Sequence, residues 1–262
     1  MVTFELDMEY NRLSKAKAKE IKKLVSKKER DRQGLFIAEG EKCILDLIPG
    51  FNVKFLIATQ DWLESHPEIS SRFSHEIFLA DKRDLEIISS MNSLPQVIAV
   101  MEKPNEIINE VPLLKKNKLY VLLDELQDPG NLGTIIRTCD WFGIYEIYAS
   151  KNTVDVFGPK VVQATMGSLS RVKVRYLDLK DLILKNRDIK VIGTLLDGKP
   201  LDMFNHMEEG MLLMGNEGKG ISDELKNLID IPLTIPPVNP DSHPDSLNVA
   251  IATAIIVSHF RP

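Results

Sequence analysis

The stretch MLLMGNEGKGISD, residues Met211–Asp223, decides the fold of this chain. It opens with four large apolar residues, a pattern typical of a strand that is buried on both faces of a sheet. Three glycines follow within residues 215–220, and Ser222 is a residue type that often begins a helix. A buried strand, a glycine loop and a helix start form the usual ligand-binding corner of an α/β protein. The loop is therefore either a small-molecule site or an ordinary tight turn.

The known phosphate-binding loops do not match this stretch. Gly215 and Gly220 have the spacing of the glycines in a P-loop, but Ile221-Ser222 stands where that loop has lysine and then serine or threonine. Asp223 stands where the dinucleotide fingerprint has its third glycine. The missing fingerprint argues against a nucleotide-dependent oxidoreductase.

The rest of the chain reads as two α/β segments with a connection between them. From Leu119 onward, short apolar strands alternate with helices, which predicts a parallel sheet covered on both faces. Residues 10–100 alternate in the same way and are numerous enough for a domain of their own. The connection, counted over residues 102–118, holds two prolines and seven charges. We therefore expect an N-terminal domain of residues 1–101, a linker of 102–117 and a C-terminal domain of 118–262.

Charge is distributed unevenly. The chain of 262 residues has a net charge of −5, yet residues 12–32 carry ten lysines and arginines against three acids. We expect one basic helix over residues 14–29. An acidic body with a basic arm suits contact with phosphates, and a solvated helix face is the alternative.

Composition narrows the class of protein further. No apolar run reaches the roughly 18–20 residues of a membrane span, and the N-terminus lacks the apolar segment of a secretory signal. Cys43 and Cys139 lie far apart in apolar helical patterns, so we interpret both as core thiols in a reducing compartment. These features favour a cytoplasmic protein with neither a membrane nor a metal partner.

Two helix starts carry polar residues that are candidates for chemistry. In LQDPGNLGTIIRTCDWF, residues 126–142, Asn131 is placed to cap the helix, and Arg137 lies opposite its apolar face. That arginine is either a surface residue or a site residue covered by a substrate or another subunit. Near the C-terminus, Ser246 or Asp245 is expected to cap the last helix, and Asn248 is its one polar side chain near the start. These residues either serve only as caps or also line a site.

His243 is a further candidate, because histidine titrates near neutral pH and can act as a general base. It has no evident carboxylate to orient it beyond Asp241 and Asp245. We therefore do not assign it a catalytic role.

Three separated blocks resemble the motifs of the SpoU (TrmH) family of S-adenosyl-L-methionine-dependent RNA 2′-O-ribose methyltransferases, in the SPOUT superfamily. They are Asn131 with Arg137, GNEGKGIS at 215–222, and IPP at 235–237 with SLNVA at 246–250. The resemblance covers about residues 118–262. Residues 27–48 resemble, more loosely, a substrate-binding domain related to ribosomal protein L30e.

The resemblance implies a fold and an assembly. It implies an α/β protein whose C-terminal SPOUT parallel sheet contains a deep trefoil knot and whose N-terminal L30e-like α/β domain binds RNA. It also implies a homodimer with a site completed across the interface.

The resemblance also implies a reaction, methylation of a ribose 2′-hydroxyl in RNA, with S-adenosyl-L-methionine as cofactor. Ribosomal RNA is preferred as substrate; transfer RNA, or a non-catalytic RNA-binding or assembly role, are the alternatives. Arg137 would activate or orient the 2′-hydroxyl. Asn131 would orient Arg137 or the ribose, and Ser246 and Asn248 would shape the pocket. Glu217 matches a further polar residue of the family's motifs. The positions that match cofactor-binding residues are Leu195, Gly215, Ile235 and Leu247.

Overall fold

The computed structural model describes residues 10–104, 110–239 and 245–261. By their contacts, these residues form two compact units. The first unit contains residues 10–104 together with Phe157–Ser170, and the second contains the remaining described residues. The domain limits inferred from the sequence stay a prediction, but the sequence pattern alone did not indicate that Phe157–Ser170 packs with the first unit.

The strands and helices alternate along most of the chain. In chain order, the strands are β1 (Asn11–Arg12), β2 (Leu35–Glu39), β3 (Val53–Ala58), β4 (Ile77–Leu79), β5 (Val97–Glu102), β6 (Leu119–Leu123), β7 (Glu146–Ala149), β8 (Lys173–Tyr176), β9 (Val191–Pro200), β10 (Gly210–Met214) and β11 (Ile231–Thr234). The helices are α1 (Lys15–Lys22), α2 (Lys27–Gln33), α3 (Glu41–Leu47), α4 (Gln60–Ser65), α5 (Pro67–Arg72), α6 (Lys82–Ile88), α7 (Pro129–Trp141), α8 (Pro159–Thr165), α9 (Leu179–Lys185), α10 (Asp223–Lys226) and α11 (Val249–Phe260). None of the helices in the described ranges is long and apolar enough to cross a membrane.

The first unit is built on a five-stranded mixed sheet with the order β1-β4-β3-β5-β2. Strand β5 is antiparallel to both of its neighbours, whereas β4 is parallel to β1 and β3. One core cluster of this unit joins apolar residues of β2, β3 and β5 to those of α1 and α6. The sheet therefore holds α1 in a fixed place on the unit.

The single basic helix expected over residues 14–29 is wrong. Helix α1 ends at Lys22, a 3₁₀ turn follows over Lys23–Val25, and α2 begins at Lys27. Ser26 between them has an extended backbone. The buried guanidinium of Arg30 donates to the carbonyl oxygens of Leu24 and Val25 at 2.9 and 2.7 Å, so these carbonyls have a partner without a continuous helix.

The second unit contains the predicted parallel sheet. Its six strands have the order β11-β9-β10-β6-β7-β8, and every neighbouring pair is parallel. All five residues of β6 and of β10 are buried, as the apolar run at the start of Met211–Asp223 predicted. The deep trefoil knot implied by the resemblance stays a prediction.

Two predicted helix caps are wrong. Asp128, not Asn131, caps α7: its carboxylate accepts the backbone N–H of Asn131 at 2.8 Å, and Pro129 occupies the first helical position, which suits proline. Asn248, not Ser246 or Asp245, caps α11, because its side-chain oxygen accepts the backbone N–H groups of the first helical turn.

Strand β9 makes an excursion beside β11. Ile192 and Gly193 pair with the start of β11, and Lys199 and Pro200 pair with its next two residues. Residues 194–198 are thus left out of the pairing with β11. This excursion includes Leu195, one of the proposed cofactor positions.

Gly198 controls the return of β9 to the sheet. A Cβ at this position would lie 2.5 Å from the carbonyl carbon of Leu233 and 2.7 Å from its nitrogen, both backbone atoms of β11. We expect Gly198→Ala to lower the free energy of unfolding by about 1–3 kcal/mol, measured by chemical denaturation. Gly218→Ala is the matched control, since its Cβ would meet only a side-chain oxygen of Asn216 at 3.7 Å. Equal destabilisation by both variants would contradict this role of Gly198.

Candidate active site

The candidate site lies at the carboxyl edge of the parallel sheet. Leu123, the last residue of β6, is in register with Met214, the last residue of β10. The segments that follow these strands therefore start side by side, at the edge where open α/β sheets bind ligands. We call residues 215–222 the glycine loop and residues 124–128 the strand-end segment.

The glycine loop is a tight turn with its own hydrogen bonds. The backbones of Asn216 and Gly220 bond to each other in both directions, at 3.0 and 2.9 Å. The side-chain oxygen of Asn216 accepts the N–H groups of Gly218 and Lys219 at 2.9 and 3.0 Å. Gly215 is required by close packing, because a Cβ there would lie 2.3 Å from backbone atoms of Gly220 and Ile221. The turn and a ligand site are thus compatible interpretations.

The strand-end segment anchors the glycine loop at two points. The carboxylate of Asp124, which is 4% exposed, accepts the backbone N–H of Ser222 at 2.8 Å. The side-chain amide of Asn216 donates to the carbonyl oxygen of Glu125 at 2.8 Å. Sequence reasoning missed both contacts, although a carboxylate directly after a buried strand was a signal that Asp124 has a partner.

Glu217 joins the glycine loop to the start of α7. Its carboxylate accepts the backbone N–H groups of Gln127 and Asp128 at 3.3 and 3.1 Å and the side-chain amide of Asn131 at 3.1 Å. Partial burial acts to raise the pKa of Glu217, but these hydrogen bonds outweigh it and hold the pKa below the ordinary value of 4.5. At neutral pH Glu217 is therefore an ionised carboxylate that accepts three hydrogen bonds and joins the glycine loop to α7.

Asn131 extends this connection to the last helix. Its side-chain oxygen accepts the amide of Asn248 at 2.9 Å, and the oxygen of Asn248 in turn accepts the N–H groups of Ala250 and Ile251. A carboxylate only accepts and a backbone N–H only donates, so the two ends of this series fix the orientation of both amides. Three residues from separate sequence blocks, Glu217, Asn131 and Asn248, are thus joined by direct hydrogen bonds.

Two other predicted site residues are not part of this series. Arg137 is exposed on α7, about 9 Å further along the helix axis than Asn131. Ser246 is exposed just before α11. Neither side chain has a hydrogen bond or ion pair to any residue in the described ranges, so both are available to a ligand.

The four predicted cofactor positions lie on different parts of the same unit. Gly215 is buried directly after β10, and Ile235 is half-buried directly after β11. Leu195 lies in the β9 excursion and packs against a core cluster of the second unit. Leu247, 49% exposed, precedes the cap of α11. Gly215 and Ile235 thus follow strands of the same carboxyl edge, as a ligand site there requires.

His243 lies outside the described residues. Within the described residues, no group of three or more histidine, cysteine, aspartate or glutamate side chains could hold a metal ion.

Two family models match the chain. The model of the SpoU rRNA methylase family matches residues 118–258, and that of the MRM3-like substrate binding domain matches residues 15–108. The chain belongs to the SpoU rRNA methylase family. This confirms the family inferred from the three sequence blocks, and the mixed N-terminal and parallel C-terminal sheets confirm the fold class.

Members of this family resemble the chain over nearly its whole length. The 23S rRNA (guanosine(2553)-2′-O)-methyltransferase RlmP of Bacillus subtilis (strain 168) is 31% identical over 250 residues, which cover 94% of this chain and 96% of the relative. A TrmH-family structure from Porphyromonas gingivalis is 37% identical, with a TM-score of 0.82 and coverage of 95% and 98%. An AdoMet-bound rRNA methyltransferase from Sinorhizobium meliloti is 30% identical, with a TM-score of 0.82 and 96% coverage of both chains.

The Glu217 contacts predict a pH dependence of the site. A carboxylate whose pKa is lowered by folding stabilises the folded state above its unfolded pKa, and this contribution is lost as pH falls through the folded pKa. We expect the Gln127 and Asp128 amides to stay protected from hydrogen exchange from neutral pH down to about 4.5 and to lose protection below it. Glu217→Gln should reduce their protection at neutral pH and remove this transition. Loss of wild-type protection already above pH 4.5, or wild-type protection in the Glu217→Gln variant, would contradict the assignment.

Proposed function

We propose that the protein methylates a ribose 2′-hydroxyl of ribosomal RNA, with S-adenosyl-L-methionine as the methyl donor. The observation that carries the proposal is the hydrogen-bonded series Glu217–Asn131–Asn248 at the carboxyl edge of the sheet. Family membership supports it, as do the relatives named for their action on 23S rRNA and the AdoMet-bound structure of the Sinorhizobium meliloti relative. The preference for ribosomal over transfer RNA rests on the names of these relatives.

The residues present fit this cofactor. S-adenosyl-L-methionine, when bound, supplies a methyl group on a sulfonium sulfur, which is a good leaving group. It carries no phosphate, so the glycine loop needs none of the lysine and serine positions that define a P-loop. Backbone groups at Gly215, Ile235 and Leu247, with the apolar side chain of Leu195, would hold it. The close packing of Gly215 against Gly220 holds the loop backbone in one conformation at this edge of the sheet.

Arg137 would act on the RNA. A ribose hydroxyl is a weak nucleophile, and arginine stays protonated in proteins, so we assign Arg137 to orienting the 2′-hydroxyl and its neighbouring phosphate by donated hydrogen bonds. Its exposure and its lack of a partner among the described residues leave the guanidinium available for this contact. Ser246, exposed near Asn248, would shape the pocket.

Asn131 and Glu217 would serve as positioning residues. The amide of Asn131 is occupied on one side by Glu217 and on the other by Asn248, so it does not face the ribose in this arrangement. Both residues instead hold the start of α7, and with it Arg137, in a fixed relation to the glycine loop and α11.

We also propose that the protein is a homodimer through α11. This helix is apolar nearly all round, and Ile251 and Ile255, four residues apart on one face, are 50% and 39% exposed. Trp141, at the end of the neighbouring α7, is 86% exposed. Apolar side chains exposed together on one helix mark a surface that a partner covers. A second subunit there would add to the surroundings of Arg137.

The compartment that we propose is the cytoplasm. Both cysteines are buried free thiols, which fits a reducing environment. Burial raises the pKa of Cys43 to about 11, so this thiol is unreactive.

Arg137→Ala tests the catalytic assignment. We expect it to reduce methyl transfer to ribosomal RNA by at least about a hundredfold while AdoMet binding, measured by calorimetry, changes little, because the guanidinium contacts RNA and not the cofactor. Arg187→Ala is the control, since Arg187 precedes β9 at the opposite edge of the sheet and bonds to the Leu228 carbonyl. If the wild-type protein gives no binding heat with AdoMet, the proposed methyltransferase activity is refuted. If it methylates transfer RNA alone, ribosomal RNA is refuted as the substrate.

The dimer is tested by a charge on the exposed face of α11. Ile251→Glu combined with Ile255→Glu should halve the molar mass measured by light scattering, because a dimer would bury both carboxylates without partners. Leu184→Glu is the control, since Leu184 on α9 is similarly exposed, at 49%. A mass unchanged by the α11 variant would place the interface elsewhere.

A further inference from the structure

Three lysines of the first unit form a regular row. Lys15 and Lys19 on α1, and Lys23 in the 3₁₀ turn that follows, are four residues apart and exposed. Helical residues at this spacing lie on the same side, with about 6 Å between successive positions along the axis. We call Lys15, Lys19 and Lys23 the lysine stripe.

Most of the neighbouring cations already have partners. Lys22 donates to the carbonyl oxygens of Ile88 and Ser89, both at 3.0 Å, at the end of α6. Arg30 is buried against Leu24 and Val25. The remaining paired cations are Lys17 with Glu20 at 3.2 Å, Lys27 with Asp31 at 2.8 Å, and Arg32 with Glu29 at 2.7 Å. Arg12 lies 3.6 Å from Asp81, and Lys28 is exposed without a hydrogen bond or ion pair to any described residue. The cations of this region are thus paired residues, the lysine stripe and Lys28.

The acids of the region are engaged by those other cations. A side-chain hydrogen bond from Arg32 is the main cause that lowers the pKa of Glu29, and Lys23 adds only a smaller electrostatic effect. Hydrogen bonds from Lys103 and Lys27 lower the pKa of Asp31. In the part of the chain that the structure describes, the three stripe lysines therefore have neither an ion pair nor a hydrogen bond.

An uncompensated row of lysines is unfavourable for the free protein. Like charges four residues apart on a helix repel each other and destabilise it. The repulsion is relieved when an anion with charges at regular intervals lies along the row. Lysine is a compact point charge that suits single phosphate oxygens without requiring a planar partner.

We infer that the lysine stripe binds the phosphate backbone of the substrate RNA. The inference rests on the proposed function, which makes an RNA the occupant with complementary charge, and on the match of residues 15–108 to a substrate-binding domain. Backbone contacts of this type give affinity that is independent of sequence and sensitive to salt. The stripe therefore contributes to RNA affinity, while selection of the target nucleotide lies elsewhere.

The test compares two triple variants with equal changes in charge. The stripe variant is Lys15→Gln, Lys19→Gln and Lys23→Gln. The control is Lys116→Gln, Lys180→Gln and Lys226→Gln, whose lysines are each paired with an acid in the second unit. The dissociation constant for a ribosomal RNA fragment is measured at several salt concentrations. We expect the slope of log affinity against log salt to fall by about two to three in the stripe variant and by less than one in the control.

Each outcome decides the inference. Three results would overturn the inference. They are a salt slope of the stripe variant equal to that of the wild type, an equal loss of slope in both variants, and a wild-type protein that binds no RNA. Thermal unfolding checks that both variants are folded, and the stripe variant should be no less stable than the wild type because repulsion is removed. The RNA-binding measurement does not require methyl transfer. If the stripe variant loses salt slope but the wild-type protein has no methyltransferase activity, RNA binding by the stripe is supported and the proposed function is refuted.

Discussion

The ionised carboxylate of Glu217 is the contact on which the site depends. It lies in the glycine loop, yet its three hydrogen bonds all come from the strand-end segment and the first turn of α7. Because Asn131 passes the connection on to Asn248, this carboxylate fixes the relative positions of the loop and two helix starts. The parallel sheet makes the arrangement possible, since it brings segments from distant parts of the chain to one edge.

The sequence predicted the sheet more reliably than the helix ends. Buried parallel strands such as β6 and β10 are continuous apolar runs that are easily recognised. Helix caps failed because Asp128 and Asn131, or Ser246 and Asn248, are all residue types that cap helices. Only the backbone conformation determines which one does so, and residues distant in sequence contact both helix starts. Glu217 accepts the backbone N–H of Asp128, and Asn131 accepts the side-chain amide of Asn248.

The same limit applies to the charged region near the N-terminus. Composition revealed its net charge but not which cations are free, because the partner of Lys22 lies 66 residues further along the chain. The motif residues were found through the family resemblance, and the structure adds the hydrogen bonds that join three of them. Asp124 was missed because its partner, Ser222, is brought near only by the pairing of β6 with β10.

The discontinuity of the first unit has a consequence for the order in which the chain acquires its structure during synthesis. Helix α8 contributes the buried Val161 and Val162 to this unit, and the thiol of Cys43 donates to the carbonyl of Val162, 119 residues away. The N-terminal unit therefore cannot complete its core when the ribosome has released only residues 10–104. It must wait until β6, α7 and β7 of the second unit have also emerged, so the two units do not fold strictly one after the other.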